Sequence, residues 1–185
     1  MKGPVGWCVW ITGLPGSGKS TITHELLGQL VQQGIKAQLV STDMLRHAIT
    51  PKPTYSIEER DFVYACIVCV SKLLTQNGVN VVVDATANKQ RYRDAARNCI
   101  HLFIEAYIDC PLELCMEREA KRDRTFMAPR DIYKGALMGE SKTVPGIGVP
   151  YERPPSPEIT IYSATQDPEE CAKRIRKAMT KIFGI

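Results

Sequence analysis

The feature that most constrains this sequence is a glycine-rich turn near its beginning. Residues 13–20 are Gly-Leu-Pro-Gly-Ser-Gly-Lys-Ser, which match the phosphate-binding loop pattern G-x-x-x-x-G-K-[ST]. The apolar run at 7–12 predicts a buried strand before this loop, and 19–33 predicts a helix after it. Such a strand–loop–helix unit directs backbone N–H groups and a helix N-terminus toward phosphate oxygens. The sequence therefore predicts a site for a nucleotide phosphate.

Beyond this loop, short apolar runs alternate with segments of helical periodicity. Further strands are predicted at 37–41, 79–84, 102–109 and 158–163. Further helices are predicted at 57–76, 89–98, 111–120 and 168–183. Strands this apolar, separated by helices, favour a parallel sheet that is covered on both faces. The sequence thus predicts an α/β fold of the P-loop kinase type, with three layers and a central, mainly parallel five-stranded sheet.

The length and charge of the chain narrow its class. At 185 residues we expect one domain over 1–185. Residues 121–157 are basic, rich in Gly and Pro and weakly periodic, so we expect much of this segment to be a mobile lid and surface loop. The net charge of +4 suits an anionic substrate but is too small to indicate nucleic acid.

The seven cysteines indicate a reducing environment. Their number is odd and their spacing suggests no disulfide framework, so we expect a cytoplasmic protein. Cys66 and Cys69 form a CxxC inside a helical apolar run, and we expect a packing role for them rather than a metal site. No signal peptide is visible, and no stretch approaches the ~20 apolar residues of a membrane span. We expect no contact with a membrane.

The glycine-rich loop itself predicts how ATP would be bound. Lys19 is expected to reach the β- and γ-phosphates and to act in catalysis, and Ser20 is expected to place its hydroxyl on Mg²⁺. The predicted ATP-binding residues of the loop are Gly13, Gly16, Ser17, Gly18, Lys19, Ser20 and Thr21.

The phosphate acceptor is expected at the carboxyl edge of the sheet, where the loops after the strands converge. Asp43 follows the second strand and either accepts the hydroxyl proton, holds Mg²⁺ through water, or caps the next helix. Arg46, one turn later, is placed to clamp an anion. Asp84 ends the third strand, where it either supports the metal or forms an Asx turn. Arg60 either points into the cleft or forms a surface ion pair.

The order and spacing of several blocks resemble the adenylylsulfate kinase family. These blocks are GLPGSGKST, DMLRHAI, EER, YRDAAR, FIEAYIDCPLELCMERE, IYKGALMGE and VPYERPPSPEI. The resemblance implies an ATP-dependent phosphotransferase that uses Mg²⁺ and phosphorylates the 3′-hydroxyl of adenosine 5′-phosphosulfate. It also suggests a homodimer.

The resemblance implies roles for individual residues. Asp43 would be the carboxylate near the reacting hydroxyl, and Arg46 and Arg60 would hold the phosphosulfate substrate. Arg118 would pack near the donor adenine, and Lys142 would belong to the lid over the substrate. A lid arginine is also expected to close over the phosphates, and the candidates are Arg122, Arg124 and Arg130.

The departures from the family pattern all lie on the acceptor side. Val63 replaces an asparagine that contacts substrate, and Val144 replaces an aromatic lid residue that stacks on the substrate adenine. Asp-Ala-Thr-Ala at 84–87 replaces Ile-Ser-Pro, Gly148-Val149 replaces Asp-Asp, and the segment 118–132 is longer. The two valines would mark a rebuilt pocket. A P-loop kinase for another anionic or nucleotide-like hydroxyl therefore stays open, as does a nucleotide-dependent switch without enzymatic activity.

Overall fold

The computed structural model describes residues 5–50, 52–123 and 125–185. The strands in these ranges are β1 (Trp7–Gly13), β2 (Gln38–Ser41), β3 (Val81–Asp84), β4 (Leu102–Asp109) and β5 (Ile159–Tyr162). The helices are α1 (Lys19–Gln32), α2 (Thr42–Ile49), α3 (Ile57–Gln76), α4 (Gln90–Cys99), α5 (Leu112–Lys121), α6 (Ile132–Leu137) and α7 (Pro168–Phe183). None of these helices is long and apolar enough to cross a lipid bilayer.

The five strands form one parallel sheet in the order β2-β3-β1-β4-β5. The glycine-rich loop therefore follows the central strand, with β3 on one side of it and β4 on the other. Ile11 of β1 lies opposite Asp84 of β3 and Ala106 of β4. This register brings the ends of β1, β2 and β3 to one edge of the sheet and confirms the predicted fold class.

Residues of β1 alternate between two apolar cores because successive side chains of a strand point to opposite faces. Val9 and Ile11 belong to the core that α1 and α7 cover. Trp10 belongs to the core that α3 and α4 cover, together with Ile67. Every residue of β1 is buried, so the strand that carries the loop is fixed from both sides.

Most element boundaries agree with the sequence within one or two residues, and the differences have local causes. The third strand begins at Val81 rather than at residue 79, because the Val79 N–H donates to the Leu74 carbonyl at 3.0 Å and so belongs to the terminal turn of α3. The segment 121–157 contains the short helix α6, which the weak periodicity did not predict. Asp131, with φ of 55°, turns the chain into α6, and the Tyr133 ring of this helix is buried.

Candidate active site

A cavity of about 690 Å³ lies at the edge of the sheet where β1, β2 and β3 end. The glycine-rich loop, the starts of α1 and α2, the end of β3 and parts of the 121–157 segment surround it. The predicted site residues that line it are Gly16, Gly18, Lys19, Ser20, Thr21, Asp43, Arg46, Arg60, Asp84 and Arg118. Three other predicted residues are not among the described residues of its lining, namely Gly13, Ser17 and Lys142.

The glycine-rich loop adopts a backbone that its glycines make possible. Gly16 and Gly18 have φ values of 78° and 95°, in the left-handed region that glycine tolerates best. A Cβ on Gly16 would lie 2.2 Å from the carbonyl oxygen of Cys115 in α5, so this loop rests directly on that helix. The Lys19 Nζ donates to the Leu14 carbonyl at 2.9 Å. The ammonium group is therefore held across the loop, at the start of α1.

Two carboxylates interact with this lysine inside the cavity. Burial raises the pKa of the Asp43 carboxyl above its ordinary value, and the charge of Asp84 raises it further. Burial lowers the pKa of the Lys19 ammonium, whereas Asp84 and Asp43 act to raise it. Asp43 lies in the first turn of α2, and the residue at the cap position is Ser41. Asp43 therefore does not cap this helix. The cluster places two carboxylates close to the Lys19 ammonium at the start of α1.

The Tyr55 ring lies within cation–π distance of both Arg46 and Arg60. The Cζ atoms of Arg46 and Arg60 are 4.6 Å and 5.9 Å from the centroid of the Tyr55 ring. Arg46 is buried, forms an ion pair with Glu59, and has its pKa lowered chiefly by burial. Arg60 lines the cavity and donates to the Thr143 carbonyl at 2.7 Å. Of the two predicted placements, the cleft and a surface ion pair, the structure has the cleft.

Sequence reasoning missed Tyr55 as a site residue. It has φ of 55°, which is rare for a residue with a side chain and is often found at functional sites. An aromatic residue at the end of a proline-containing loop, just before the helix that carries Arg60, was the available signal.

The opposite end of the cavity lies beside β5. Arg118 donates to the Ser163 carbonyl at 2.9 Å and to its hydroxyl at 3.4 Å. The same hydroxyl donates to the Ser17 carbonyl at 2.8 Å, beneath the glycine-rich loop. Gln166 and Pro168 line this end too. The Arg118 guanidinium is thus anchored next to the glycine-rich loop, at the opposite end of the cavity from Asp43, Arg46 and Arg60.

The 121–157 segment contacts the glycine-rich loop directly. The Tyr133 hydroxyl of α6 donates to the Pro15 carbonyl at 2.9 Å. Arg122 and Arg130 line the cavity, and Arg124 lies outside the described residues. Closure of a lid arginine over the phosphates stays a prediction. Tyr133 was not predicted as part of the site, because no local pattern links α6 to a loop more than a hundred residues earlier.

The unusual residues of the acceptor side occupy different environments. Val63 is fully buried in the core between α3 and the sheet and does not contribute to the described lining. The expectation that Val63 marks a rebuilt pocket is therefore wrong. Val144 and Thr86 do line the cavity, so changes at these two positions alter its wall. Lys142 is exposed, outside this lining.

The fold and the cavity define a P-loop phosphotransferase. A phosphate-binding loop follows the central strand of a parallel sheet, and its lysine faces two carboxylates and a set of arginines. Residues 5–162 match the family model described as adenylylsulphate kinase. The chain belongs to this family.

Individual relatives agree with this assignment along nearly the whole chain. The adenylyl-sulfate kinase of Picosynechococcus sp. is 36% identical over 177 residues, covering 96% of this chain and 95% of that protein. A probable adenylyl-sulfate kinase of Pyrococcus abyssi is 33% identical over 174 residues, covering 94% and 95%. The Mycobacterium tuberculosis APS kinase CysC, solved in complex with AMPPNP and APS, is 30% identical and superposes with a TM-score of 0.84 over 96% of this chain and 99% of that chain.

Proposed function

We propose that this protein transfers the γ-phosphate of ATP to the 3′-hydroxyl of adenosine 5′-phosphosulfate, giving 3′-phosphoadenosine 5′-phosphosulfate. The observation that carries the proposal is a single cavity with the glycine-rich loop in its middle and cationic groups at both ends. Family membership and curated relatives that cover more than nine-tenths of the chain support it. A P-loop kinase needs such a cavity because donor and acceptor must meet in line across one phosphorus atom.

In this proposal the donor nucleotide occupies the end beside β5. The backbone N–H groups of the glycine-rich loop hold the phosphates, and Lys19 offsets charge that develops on the transferring group. Arg118 lies against the base, where a planar guanidinium can stack on an aromatic ring. Arg122 and Arg130 close over the phosphates and help to exclude water, which limits hydrolysis of ATP.

The acceptor occupies the end formed by α2, α3 and the loop after β3. Asp43 orients the attacking hydroxyl and accepts its proton, because its raised pKa makes it a better base than an ordinary aspartate. Arg46 and Arg60 hold the phosphosulfate group, and the Tyr55 ring close to both supplies a flat surface. We keep Lys142 only as a residue of the outer lid, since its side chain is exposed.

Mg²⁺ would be held mainly by the nucleotide, with help from the protein. Among the described residues, no cluster of three or more His, Cys, Asp or Glu side chains could bind a metal ion by itself. The residues that are present nevertheless fit Mg²⁺, which commonly uses one or two carboxylates together with substrate phosphates. Ser20 and Asp84 would hold it, with Asp43 nearby, and the ion would supply charge neutralisation at the β- and γ-phosphates.

A second candidate is a kinase for another anionic or nucleotide-like hydroxyl. Two cavity residues favour it, because Val144 and Thr86 stand where the family pattern has other side chains. Val63 no longer supports this alternative, since it belongs to the core. The non-enzymatic alternative, a nucleotide-dependent switch, would not need a base and two arginines opposite the phosphate loop.

The decisive experiment is a product assay with MgATP and adenosine 5′-phosphosulfate, with the product identified by mass. Lys19→Ala is the inactive reference, and Lys177→Ala, an exposed lysine of α7, is the matched control that should leave turnover unchanged. We expect 3′-phosphorylated product from the wild type and from Lys177→Ala. ATP binding without transfer to this acceptor would instead support the second candidate, and the same assay would then be run with other phosphate- or sulfate-bearing alcohols.

The assembly and location of the protein complete the proposal. We propose a homodimer that works in the cytoplasm, where ATP is available and its cysteines stay reduced. Light scattering at micromolar concentration tests the dimer, and a monomeric mass with full activity would refute it. Fractionation of cells tests the location.

A further inference from the structure

The backbone of Ala87, in the loop after β3, is held at its N–H and at its carbonyl by two buried side chains. Ala87 is fully buried and has φ of 42°, a conformation that disfavours a residue with a Cβ. Its N–H donates to the Tyr64 hydroxyl at 2.7 Å. Its carbonyl accepts a hydrogen bond from the Arg93 guanidinium. A residue with a Cβ keeps a positive φ only where its surroundings impose that conformation. These two hydrogen bonds therefore hold the Ala87 backbone in it.

Arg93 is a rigid anchor for this contact. Its side chain is fully buried, and its Nε pairs with the Glu105 carboxylate of β4 at 2.7 Å. Its Nη2 also donates to the Glu152 carbonyl at 2.6 Å. A planar guanidinium with partners on several sides has little freedom to rotate. Arg93 therefore fixes the loop after β3 relative to both β4 and the segment around residue 152.

The loop that is held in this way carries part of the cavity wall. Asp84 ends β3 and Thr86 precedes Ala87, and both line the cavity. The Thr86 carbonyl accepts from the Thr12 hydroxyl at 2.7 Å, which ties the same loop to the central strand. Asp84 is held in the sheet opposite Ile11, so a turn of the Ala87 backbone would move chiefly the Thr86 side chain.

We propose that Tyr64 and Arg93 form a brace on the backbone of Ala87 that positions Thr86 at the acceptor end of the cavity. The proposal rests on the function proposed above and names two positioning residues for it. The hydrogen bonds that the structure describes for Tyr64 and Arg93 go to Ala87, Gln90 and Glu152, none of which belongs to the glycine-rich loop. Loss of the brace should therefore weaken use of the acceptor while leaving the binding of ATP close to normal.

The test uses Tyr64→Phe, which removes one hydroxyl and keeps the ring, and Arg93→Lys, which keeps the charge but cannot reach every partner. Hydrogen exchange, read by mass spectrometry on peptides that span residues 84–88, should become faster in both variants. The KM for the acceptor should rise about tenfold while the KM for ATP stays within about twofold, as expected for a misplaced substrate-positioning group. If Arg93→Lys does not fold, Tyr64→Phe alone decides the proposal.

The chain offers a matched control for each variant. The Tyr92 ring stacks on Tyr64 with centroids 4.2 Å apart, but its hydroxyl bonds to Asp61 rather than to Ala87. Arg97 also pairs with Glu105, at 3.1 Å, and its other partner is the Glu158 carboxylate. Tyr92→Phe and Arg97→Lys should leave both KM values and the exchange of residues 84–88 unchanged.

Two results would overturn the brace. One is exchange of residues 84–88 at the wild-type rate in Tyr64→Phe, and the other is an equal rise in both KM values. If the wild type does not phosphorylate adenosine 5′-phosphosulfate at all, the proposed function fails, but the exchange experiment still decides whether the brace exists. The two failures are therefore distinguishable.

Discussion

The ion pair between Arg93 and Glu105 gives a quantitative prediction about stability. The two side chains are 0% and 2% exposed, so neither charge is solvated by bulk water. Glu105→Gln keeps the shape and one hydrogen-bond acceptor but removes the negative charge, and the guanidinium stays buried without that carboxylate. Removing one partner of a buried ion pair costs about 3–5 kcal/mol, because the other charge is left uncompensated.

This free energy converts into a large thermal shift. A chain of this size loses about 2–4 °C in Tm per kcal/mol, so the Tm of Glu105→Gln should fall by about 6–20 °C. Thermal and urea unfolding at pH 7, followed by circular dichroism, measure the change, and an unchanged m-value shows that the same surface unfolds. The matched control is Glu117→Gln, which breaks an exposed pair with Lys121 and should not shift Tm measurably.

A fall in Tm for Glu105→Gln that is no larger than that of the control would refute this reasoning. It would mean that the carbonyls of Ala87 and Glu152 solvate the Arg93 guanidinium well enough without its carboxylate. The buried pair would then serve orientation rather than stability.

Three further predictions concern the site. Arg46→Ala should raise the KM of the acceptor more than that of ATP, and steady-state kinetics that show an unchanged acceptor KM and kcat/KM would place the acceptor elsewhere. Asp43→Asn should abolish most transfer yet raise Tm at pH 8, because the raised pKa of Asp43 means that its ionised form opposes folding. That penalty is absent below the ordinary aspartate pKa and complete above the raised pKa, so melting curves with the same Tm gain at pH 3 and pH 8 would contradict it. Excess EDTA should stop transfer and added Mg²⁺ should restore it, whereas turnover that persists in EDTA would argue against a metal role for Asp84.

The sequence allowed prediction of the fold and of the phosphate loop because their signals are local. The loop is one contiguous stretch of sequence. The strands beside it are short apolar runs rich in β-branched residues, which is typical of buried strands. The residues after each strand could be assigned to the site because parallel strands end at one edge. The family resemblance was confirmed by the relatives and by the family model.

The rest of the site depends on contacts between distant parts of the chain. Arg60 reaches the carbonyl of a residue 83 positions away, and the Ser163 hydroxyl reaches one 146 positions away. No periodicity or spacing reports such pairs. Val63 shows the opposite error. Comparison with a family pattern predicted that it lines the pocket, but its side chain belongs to the apolar core. The role of each individual site residue therefore stays a prediction until variants are measured.

The continuity of the cavity has a kinetic consequence. Its two ends meet at the glycine-rich loop with no wall between them, so the leaving and attacking oxygens can face each other across the transferred group. Initial-velocity plots at several fixed concentrations of the second substrate should then give intersecting lines, because both substrates must be bound before either product leaves. Parallel lines, the pattern of a covalent phosphoprotein intermediate, are not expected from this geometry.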